Sequence, residues 1–391
     1  MRQRGYRAAV LVAVLVLGVG LAGCRSDGDA AREPTGDAGG ASAVDASAGG
    51  GAEAPLVFPG KDWEKVSPES QGLSAARLNE AMKVVAEIAE DHKDGTKSAG
   101  NSQCVVVRNG YLVWAGRDID NMHSVHSCGK SFLSATLGLL VDDDKCTLET
   151  RAAKSLPALG EKYPGVTLRH FASLTSGYRV PWRESAFEIR DPMHEPGQGF
   201  HYSASPNQLA NIMTRIAGEP LRNLFKRRIA DPIGIPEVDW YWRDLGKIDG
   251  RVVCGGAGHM SITARQFARF GLLLLAKGRW GDKQVLSEWW VDQSTGVQVA
   301  ADVDSYDPKA WYIHLPGRYG YLFWVNGTNK RGERLWPSAP PNTFAAQGNR
   351  NNYCFVIPEW RMVFVRMGQG KAIDHALYDR VFAKLRAAFK D

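Results

Sequence analysis

The chain has 391 residues, 44% of them hydrophobic, and a formal net charge of +6 at pH 7. This length allows one large domain or two modest ones. The first 23 residues contain three arginines and no acids, so their removal lowers the charge from +6 to +3. So small an excess of positive charge argues against nucleic-acid binding and against electrostatic attachment to anionic lipids.

The N-terminal segment has the composition of an export signal. Three arginines precede an apolar stretch, residues 8–21, that is too short to span a bilayer stably. Leu21-Ala22-Gly23-Cys24 follows and resembles a bacterial lipobox. We therefore expect residues 1–23 to be a lipoprotein signal peptide and Cys24 to be the lipidated residue that anchors the protein to a membrane. The lipid-anchored protein would lie in the bacterial cell envelope, attached to a membrane and facing the periplasm or the exterior. The alternative is a plain secretory signal with an incidental Cys24, and either signal implies that the mature chain is exported.

Residues 24–60 differ in composition from the rest of the chain. They are rich in Gly, Ala, Ser and Asp and contain almost no large apolar side chain before Leu56. Such a segment buries too little apolar surface to offset the entropy lost on ordering, so we expect a disordered tether. The composition becomes globular near Trp63, and we expect one folded domain over residues 61–391.

The first elements of this domain are a helix and a hairpin. Ser74 is expected to cap a helix that runs to about Asp91. Two short apolar runs, residues 104–107 and 111–115, lie on either side of Asn109-Gly110. Because Asn-Gly is the strongest short hairpin signal, these runs predict a β-hairpin.

The rest of the chain divides into a helical part and a final group of strands. Residues 146–314 indicate mostly helices and loops, with a clear helix over 261–276. Strands are predicted at 321–325, 343–347, 353–357 and 362–365, followed by a closing helix over 373–389. We therefore predict one antiparallel sheet built from both chain ends, about 61–145 and 315–391, with the helical part inserted at about 146–314.

Ser127-Cys128-Gly129-Lys130 is the candidate catalytic segment. Residues three apart lie on one side of a helix, so Ser127 and Lys130 are expected to be neighbours. A serine hydroxyl needs a neighbouring base, and a lysine serves as one only when burial or nearby cations hold part of it unprotonated. The apolar run Phe132–Val141 supplies such surroundings. Taken alone, these four residues more often mark an ordinary helix start.

Further segments, taken together with this one, carry a family resemblance. Residues 168–177 (LRHFASLTSG), 200–204 (FHYSA), 263–271 (TARQFARFG) and 347–349 (QGN) follow the Ser-x-x-Lys segment in family order. Over about residues 70–390 the chain resembles the serine β-lactamase and penicillin-binding-protein superfamily. The resemblance is greatest to class C β-lactamase-like esterases, D-aminopeptidases and 6-aminohexanoate-dimer hydrolases. It implies an α+β, β-lactamase/transpeptidase-like fold, in which an antiparallel sheet is flanked by helices and carries a mostly helical insertion.

The resemblance also implies a mechanism. Ser127 would attack a carbonyl and form an acyl-enzyme, with Lys130 and Tyr202 as a proton-sharing acid/base pair. The backbone N–H groups of Ser127 and Asn349 would bind the oxyanion. Gly348 would either leave room for substrate beside the strand or form a bulge. The mechanism needs no metal and no cofactor.

Departures from the family pattern narrow the expected activity. Ala204 stands where many members have an Asn that holds the lysine, and Gln347 replaces the Lys or His that recognises a β-lactam carboxylate. We therefore predict an esterase, amidase or peptidase acting on a small molecule without that carboxylate, rather than a β-lactamase. Asn207 is not expected to replace the missing amide, and His201 is a candidate substrate contact. The alternative is a non-catalytic, penicillin-binding-like or ligand-binding lipoprotein.

Tryptophan and cysteine usage leaves two questions open. Most of the twelve tryptophans are expected in the core, and a few of them in the cleft would favour an apolar or aromatic acyl group. Export permits a disulfide, but an odd number of cysteines remains after Cys24. The sequence leaves their pairing open; these are Cys104, Cys128, Cys146, Cys254 and Cys354.

Overall fold

Strands from both ends of the folded region form one antiparallel sheet. The structure is a computed structural model that describes residues 54–91, 97–178, 180, 187–306 and 315–390. The strands are β1 (Ala89–Asp91), β2 (Lys97–Ala99), β3 (Gln103–Arg108), β4 (Tyr111–Ala115), β5 (His123–Ser124), β6 (Gly199–Phe200), β7 (Trp240–Trp242), β8 (Asp244–Ile248), β9 (Arg251–Cys254), β10 (Met260–Ile262), β11 (Arg279–Trp280), β12 (Lys283–Gln284), β13 (Asp304–Ser305), β14 (Trp324–Val325), β15 (Phe344–Gly348), β16 (Asn352–Ile357) and β17 (Met362–Met367). The main sheet has the order β14-β15-β16-β17-β3-β4, which confirms the predicted fold class.

Helices cover both faces of this sheet. They are α1 (Ala75–Ala86), α2 (Gly129–Asp142), α3 (Ala152–Ser155), α4 (Leu168–Ala172), α5 (Pro206–Ala217), α6 (Leu221–Phe225), α7 (Ala264–Leu275), α8 (Glu288–Thr295) and α9 (His375–Ala388). On β16, Phe355 packs on Phe382 of α9, with ring centroids 5.0 Å apart. Its neighbour Cys354 faces α7, where its thiol lies 3.7 Å from the carbonyl oxygen of Phe267. Adjacent strand residues point to opposite faces, so α7 and α9 lie on opposite sides of the sheet.

The position of α7 corrects the predicted division of the domain. The sequence places this helix in the helical insertion, but it packs directly on the main sheet. A Cβ atom at Gly271 would lie only 2.6 Å from Val363 and 2.7 Å from the Cys354 sulfur, so glycine permits this close contact. The predicted insertion also contains the hairpin β8–β9 and two strands, β7 and β10, of a three-stranded sheet whose third strand, β5, precedes the insertion. These strands are too short for an alternating pattern to reveal them.

The Asn-Gly hairpin is confirmed, whereas one predicted strand is mostly irregular. Asn109 and Gly110 both have positive φ, +53° and +91°, as a tight hairpin turn requires. The predicted strand at 321–325 shrinks to β14. The chain turns at Leu322, whose φ is +63° and whose N–H donates to the Ala172 carbonyl instead of to a strand.

The expected boundary of the tether at residue 60 is too late in the chain. The compact unit begins at Ala54. The N–H of Val57 donates to the Asn109 carbonyl at 3.0 Å, and the buried Arg269 donates to the Gly60 carbonyl at 2.7 Å. Leu56 and Phe58 add apolar contact with the core. The predicted signal peptide, the lipidation site and the tether up to residue 53 lie outside the described residues.

Candidate active site

Ser127 lies on a sharp turn between β5 and α2. A 3₁₀ turn over His126–Cys128 precedes α2, and His126 has a positive φ of +48°. The N–H of Val125 donates to the Met260 carbonyl at 3.0 Å, which ties the start of the turn to β10. Helix α2 begins at Gly129, where a Cβ would lie 2.8 Å from the Gly258 carbonyl oxygen. Ser127 therefore projects at the helix N-terminus, into a cavity of about 960 Å³.

Lys130 is a buried neighbour of the Ser127 hydroxyl. Its Nζ lies 3.2 Å from Ser127 Oγ and donates to the Ala257 carbonyl at 2.8 Å. The residue is only 1% exposed, and the first turns of α2 around it are buried throughout. Burial disfavours the ammonium form and lowers the pKa of Lys130 to about 7. A substantial neutral fraction at neutral pH lets the amine accept the serine proton.

Tyr202 completes the group of three predicted catalytic side chains. Lys130 Nζ lies 4.7 Å from the centre of its ring, and its hydroxyl is hydrogen-bonded to the side chains of Ser127 and Trp324. Burial raises the pKa of the Tyr202 phenol, which therefore keeps its proton at neutral pH. Burial thus lowers the pKa of Lys130 and raises the pKa of Tyr202. This difference favours the lysine as base and the tyrosine as acid.

Asn207 supports this group indirectly. Its Oδ1 accepts a hydrogen bond from the Ala257 N–H at 2.9 Å, and the carbonyl of the same residue accepts from Lys130. Ala257 therefore links Asn207 to Lys130, because its backbone is hydrogen-bonded to both side chains. This agrees with the expectation that it does not contact the acyl group as the family amide does.

Two backbone N–H groups, those of Ser127 and Asn349, are the predicted oxyanion donors. Within the described part of the chain, the N–H groups of Ser127 and Asn349 donate to no protein acceptor. A Cβ at Gly348 would collide with the Val125 carbonyl oxygen and lie 3.1 Å from the Cys128 nitrogen. The end of β15 thus lies directly against the serine turn, and its pairing with β16 runs without a bulge. Glycine is needed here for this contact between backbones, which corrects both predicted roles of Gly348.

Comparisons with known proteins establish the family of this chain. A family model described as Beta-lactamase matches residues 89–387. The chain belongs to the β-lactamase family. No match was found among curated protein sequences.

Solved structures of the wider β-lactamase and penicillin-binding-protein superfamily share the fold. A protein from Bacillus anthracis that has been assigned as a 6-aminohexanoate-dimer hydrolase is 20% identical to this chain (TM-score 0.55; 76% of this chain and 84% of that chain covered). A penicillin-binding-protein homologue from Caulobacter crescentus is 15% identical (TM-score 0.61; 81% and 99%). A family VIII carboxylesterase is also 15% identical (TM-score 0.60; 81% and 99%). At these identities the structures establish the fold of the β-lactamase-family chain and leave its substrate open.

Only some of the residues predicted to bind substrate are found in the described lining of the cavity. Gln347 and Asn349 line the cavity. Gln347 is 2% exposed, and its buried Oε1 has no hydrogen-bond partner among the described residues. His201 is absent from the described cavity lining, and its N–H donates to the Leu174 carbonyl at 3.0 Å. Gln347 and Asn349 therefore lie at the cavity, whereas His201 is not part of its described lining.

Several cavity residues had no signal in the sequence. Tyr241, Arg243, His259 and Ser261 line one wall, and His375 lies in the cavity lining at the first turn of α9. The strands β7 and β10 bring the first four together, because Ser261 pairs with Tyr241 and the Arg243 N–H donates to the His259 carbonyl. These long-range pairings between strands of three residues leave no local pattern. The positive φ of His259, +71°, is equally invisible in a sequence.

The tryptophan question is answered for the described residues. Trp242, Trp290, Trp324 and Trp336 are almost completely buried, which confirms the expectation that most tryptophans are in the core. Within the described ranges no tryptophan lines the cavity, whose aromatic lining is Tyr202 and Tyr241. Trp182 and Trp311 lie outside the described residues. The cavity therefore gives no support to an aromatic acyl pocket built from tryptophan.

The five described cysteines are buried thiols that form no disulfide among the described residues. Cys128, beside the nucleophile, donates to the Asn352 carbonyl at 3.3 Å, and burial raises its pKa well above the usual value. It is therefore a packing residue, as predicted, and has no thiolate for catalysis. The described ranges also contain no group of three or more His, Cys, Asp or Glu placed to hold a metal ion, and no helix long and apolar enough to cross a membrane.

Proposed function

We propose that the protein is a serine hydrolase that cleaves an ester or amide through an acyl-enzyme on Ser127. The observation that carries this proposal is the 3.2 Å contact between Ser127 Oγ and Lys130 Nζ, an amine whose pKa burial lowers to about 7. A lysine in this state accepts a proton at neutral pH, which an ordinary surface lysine does not. Tyr202 supplies the proton donor on the other side of the same hydroxyl.

Acylation uses these three side chains together. The Ser127 proton moves to Lys130 Nζ while Oγ bonds to the substrate carbonyl carbon. The negative charge that develops on the carbonyl oxygen is stabilised by the N–H groups of Ser127 and Asn349. The bond to the leaving group then breaks as the Tyr202 hydroxyl protonates the leaving oxygen or nitrogen. The proton held by Lys130 passes to Tyr202 and restores the pair.

Deacylation repeats the same transfers with water. A water molecule gives a proton to the Lys130–Tyr202 pair and attacks the acyl carbonyl carbon. The pair then returns a proton to Ser127 Oγ as the acyl bond breaks and the carboxylic acid product leaves. Since the two groups exchange protons, the pH dependence belongs to the pair as a unit.

The third family segment favours an esterase, amidase or peptidase over a β-lactamase. Gln347 occupies the position of the family cation and is neutral. A β-lactam carboxylate therefore finds no charge at this point of β15. The names of the carboxylesterase and the 6-aminohexanoate-dimer hydrolase among the similar structures are consistent with ester or amide substrates.

We further propose that the enzyme is exported and lipid-anchored through Cys24 in the bacterial cell envelope, where it acts on a small molecule. This proposal rests on the lipobox-like Leu21-Ala22-Gly23-Cys24. Labelling with a radioactive fatty acid in a bacterial host tests it. Incorporation that is lost in Cys24→Ala supports an anchor, and equal labelling of both proteins contradicts it.

Covalent labelling tests the catalytic proposal. The folded domain, residues 54–391, is treated with a fluorophosphonate probe, and in parallel with a fluorescent penicillin, and its intact mass is measured. We expect one phosphonate adduct that Ser127→Ala abolishes. The control Ser124→Ala removes another cavity serine without a lysine contact and should keep the adduct.

The two reagents separate the candidate functions. Phosphonate labelling with turnover of a short-chain ester supports the hydrolase. Stable penicillin labelling without turnover would favour the non-catalytic, penicillin-binding-like alternative. The absence of any adduct on folded protein would contradict an activated serine at this position.

A further inference from the structure

One wall of the cavity presents an arginine to the substrate side. Arg243 directly follows β7, in which side chains alternate between two faces. Trp242 points into the core, where its indole N–H donates to the Gly255 carbonyl at 2.9 Å. Tyr241 and Arg243, on either side of it, therefore share the opposite face, and both line the cavity. The alternation of side chains along β7 and the residue after it therefore directs Arg243 toward the cavity.

No acidic group of the described residues neutralises the charge of Arg243. Within the described ranges it has neither an ion pair nor a side-chain hydrogen bond, and no Asp or Glu lines the cavity. The nearest carboxylate in sequence, Asp244, is instead bound by Arg222 at 2.7 Å. Arginine stays protonated throughout the physiological pH range. The wall therefore holds a fixed positive charge that has no counter-ion in the described part of the chain.

The histidines of the cavity add hydrogen-bonding groups rather than charge. Burial lowers the pKa of His126, and burial together with the nearby Arg243 lowers the pKa of His259. Both rings are therefore mainly neutral at neutral pH. The buried His126 Nε2 and His259 Nδ1 have no hydrogen-bond partner among the described residues. Buried polar atoms of this kind are costly unless a ligand or water satisfies them.

We propose that Arg243 binds a carboxylate of the substrate, so that the enzyme prefers esters or amides that carry a negative charge away from the scissile bond. A guanidinium fork fits a carboxylate through two parallel hydrogen bonds. This inference rests on the proposed hydrolase function and adds the class of substrate. It places the charge on the β7–β10 wall rather than at Gln347, the position where the family cation is missing.

The strand spacing sets the distance between the carboxylate and the scissile carbonyl. β10 pairs with β7 on one side and with β5, which leads into the serine turn, on the other. Neighbouring strands lie about 4.8 Å apart, so β7 and β5 are separated by roughly 10 Å. The substrate carboxylate therefore lies several bonds from the carbonyl that Ser127 attacks. Short hemi-esters of dicarboxylic acids have this form.

A matched substrate series tests the proposal on the folded domain. The kcat/KM values are measured for 4-nitrophenyl hemi-esters of linear dicarboxylic acids and for methyl-terminated esters of equal chain length. A second pair carries or lacks the carboxylate on the leaving group. We expect the wild type to prefer the charged member of at least one pair, and Arg243→Gln to lower the charged-to-neutral ratio by about 10- to 100-fold. Arg243→Lys should recover part of this ratio, because it keeps the charge and loses the fork.

Two further variants identify the cation responsible. Lys247→Gln removes an exposed charge on β8 outside the cavity lining and should leave the ratio unchanged. Arg350→Gln removes another positive charge near the site, one that contributes to the lowered pKa of His126. A loss of preference in Arg350→Gln but not in Arg243→Gln would overturn the assignment. An unchanged ratio in Arg243→Gln would do the same.

The outcomes separate this inference from the proposed function. Ser127-dependent hydrolysis of neutral esters without any charge preference leaves the hydrolase standing and removes the carboxylate site. If no ester is hydrolysed, calorimetric titration of the Ser127→Ala protein with free dicarboxylates decides the inference alone. Binding that disappears when Arg243→Gln is added supports the site, and no binding to the Ser127→Ala protein contradicts it.

Discussion

The two sides of the cavity differ in how completely their polar atoms are paired. On the catalytic side, Lys130 contacts both Ser127 Oγ and the Ala257 carbonyl, and Tyr202 is hydrogen-bonded to the same serine. On the β7–β10 wall, the Arg243 side chain has neither an ion pair nor a hydrogen bond among the described residues, and the buried His259 Nδ1 has no hydrogen-bond partner among them. A catalytic group needs its pKa and position fixed before substrate arrives, whereas a recognition group is satisfied by the substrate itself.

The largest expected loss of activity comes from replacing Lys130, on the catalytic side of the cavity. Lys130→Met keeps the length of the side chain and removes the base, so kcat/KM should fall by about 10²- to 10⁴-fold. The free energy of unfolding should stay equal or rise, because an apolar side chain replaces a buried amine. Ester hydrolysis and chemical denaturation measure the two quantities. Lys145→Met, on an exposed lysine just beyond α2, should leave kcat/KM unchanged.

This variant also distinguishes a catalytic role from a structural role for the buried Lys130. Loss of activity together with loss of stability would mean that Lys130 mainly holds the structure. Unchanged activity in a stable Lys130→Met protein would contradict its role as base.

The next effect tests the contact between β15 and the serine turn. Gly348→Ala places a methyl group against the Val125 carbonyl oxygen and 3.1 Å from the Cys128 nitrogen. The strand must move away from the turn, so we expect a loss of about 1–3 kcal/mol in the free energy of unfolding. The same shift separates the Ser127 and Asn349 N–H groups, and kcat should fall about 100-fold, as for the loss of one oxyanion donor.

Gly165 provides a matched control, since a Cβ there meets no atom within 4 Å. Gly165→Ala should change neither stability nor kcat appreciably. If Gly348→Ala behaved in the same way, the close approach of the two backbones would be wrong.

A smaller and continuous effect follows from pH. Below a pKa of about 7, Lys130 is increasingly protonated and loses its capacity to accept the serine proton. The value of kcat/KM should therefore fall about tenfold per pH unit below this point and level off above it. Tyr202 keeps its proton across this range, because burial raises its pKa. Rate measurements with a substrate that does not ionise between pH 5 and 9 test this, and a rate that decreases as the pH rises through 7 would reverse the assigned base and acid.

The sequence predicts the catalytic side of the cavity better than the β7–β10 wall. The catalytic side depends on residues that are close in the sequence, whereas the wall depends on pairing between strands that are distant in the sequence. Ser127 and Lys130 are three residues apart in the sequence, and the apolar composition of the helix that contains Lys130 can also be read from the sequence. Arg243 reaches the cavity only because β7 pairs with β10 and β10 with β5. These strands have two or three residues each, too few for a periodic signal.

Gly348 shows a second limit of sequence reasoning. A glycine beside a motif indicates that space is needed, without showing what occupies it. The structure assigns that space to the backbone of the serine turn. The same holds for Asn207, whose residue type predicts a hydrogen bond but whose partner, the Ala257 N–H, is 50 residues away in the chain.

The smallest effect concerns this link between Asn207 and the lysine. Asn207→Ala removes the acceptor of the Ala257 N–H, so the loop that also binds Lys130 loses one of its supports. Because the base itself remains, we expect kcat to fall by only about tenfold and KM to change little. Asn207→Asp keeps the acceptor oxygen and should retain more activity than Asn207→Ala. Steady-state kinetics over a pH series would also reveal any change in the apparent pKa of the lysine.

Asn211, one turn further along α5, separates positioning from packing. It is also buried, but its partners are the side chains of Gln208 and Arg215 rather than the loop at Ala257. Both alanine variants should lose about 1–2 kcal/mol in the free energy of unfolding, since each leaves a buried polar group unpaired. Only Asn207→Ala should lower kcat. Equal losses of kcat in the two variants would assign Asn207 to the stability of the helix, and the position of Lys130 would then depend on its own burial in α2.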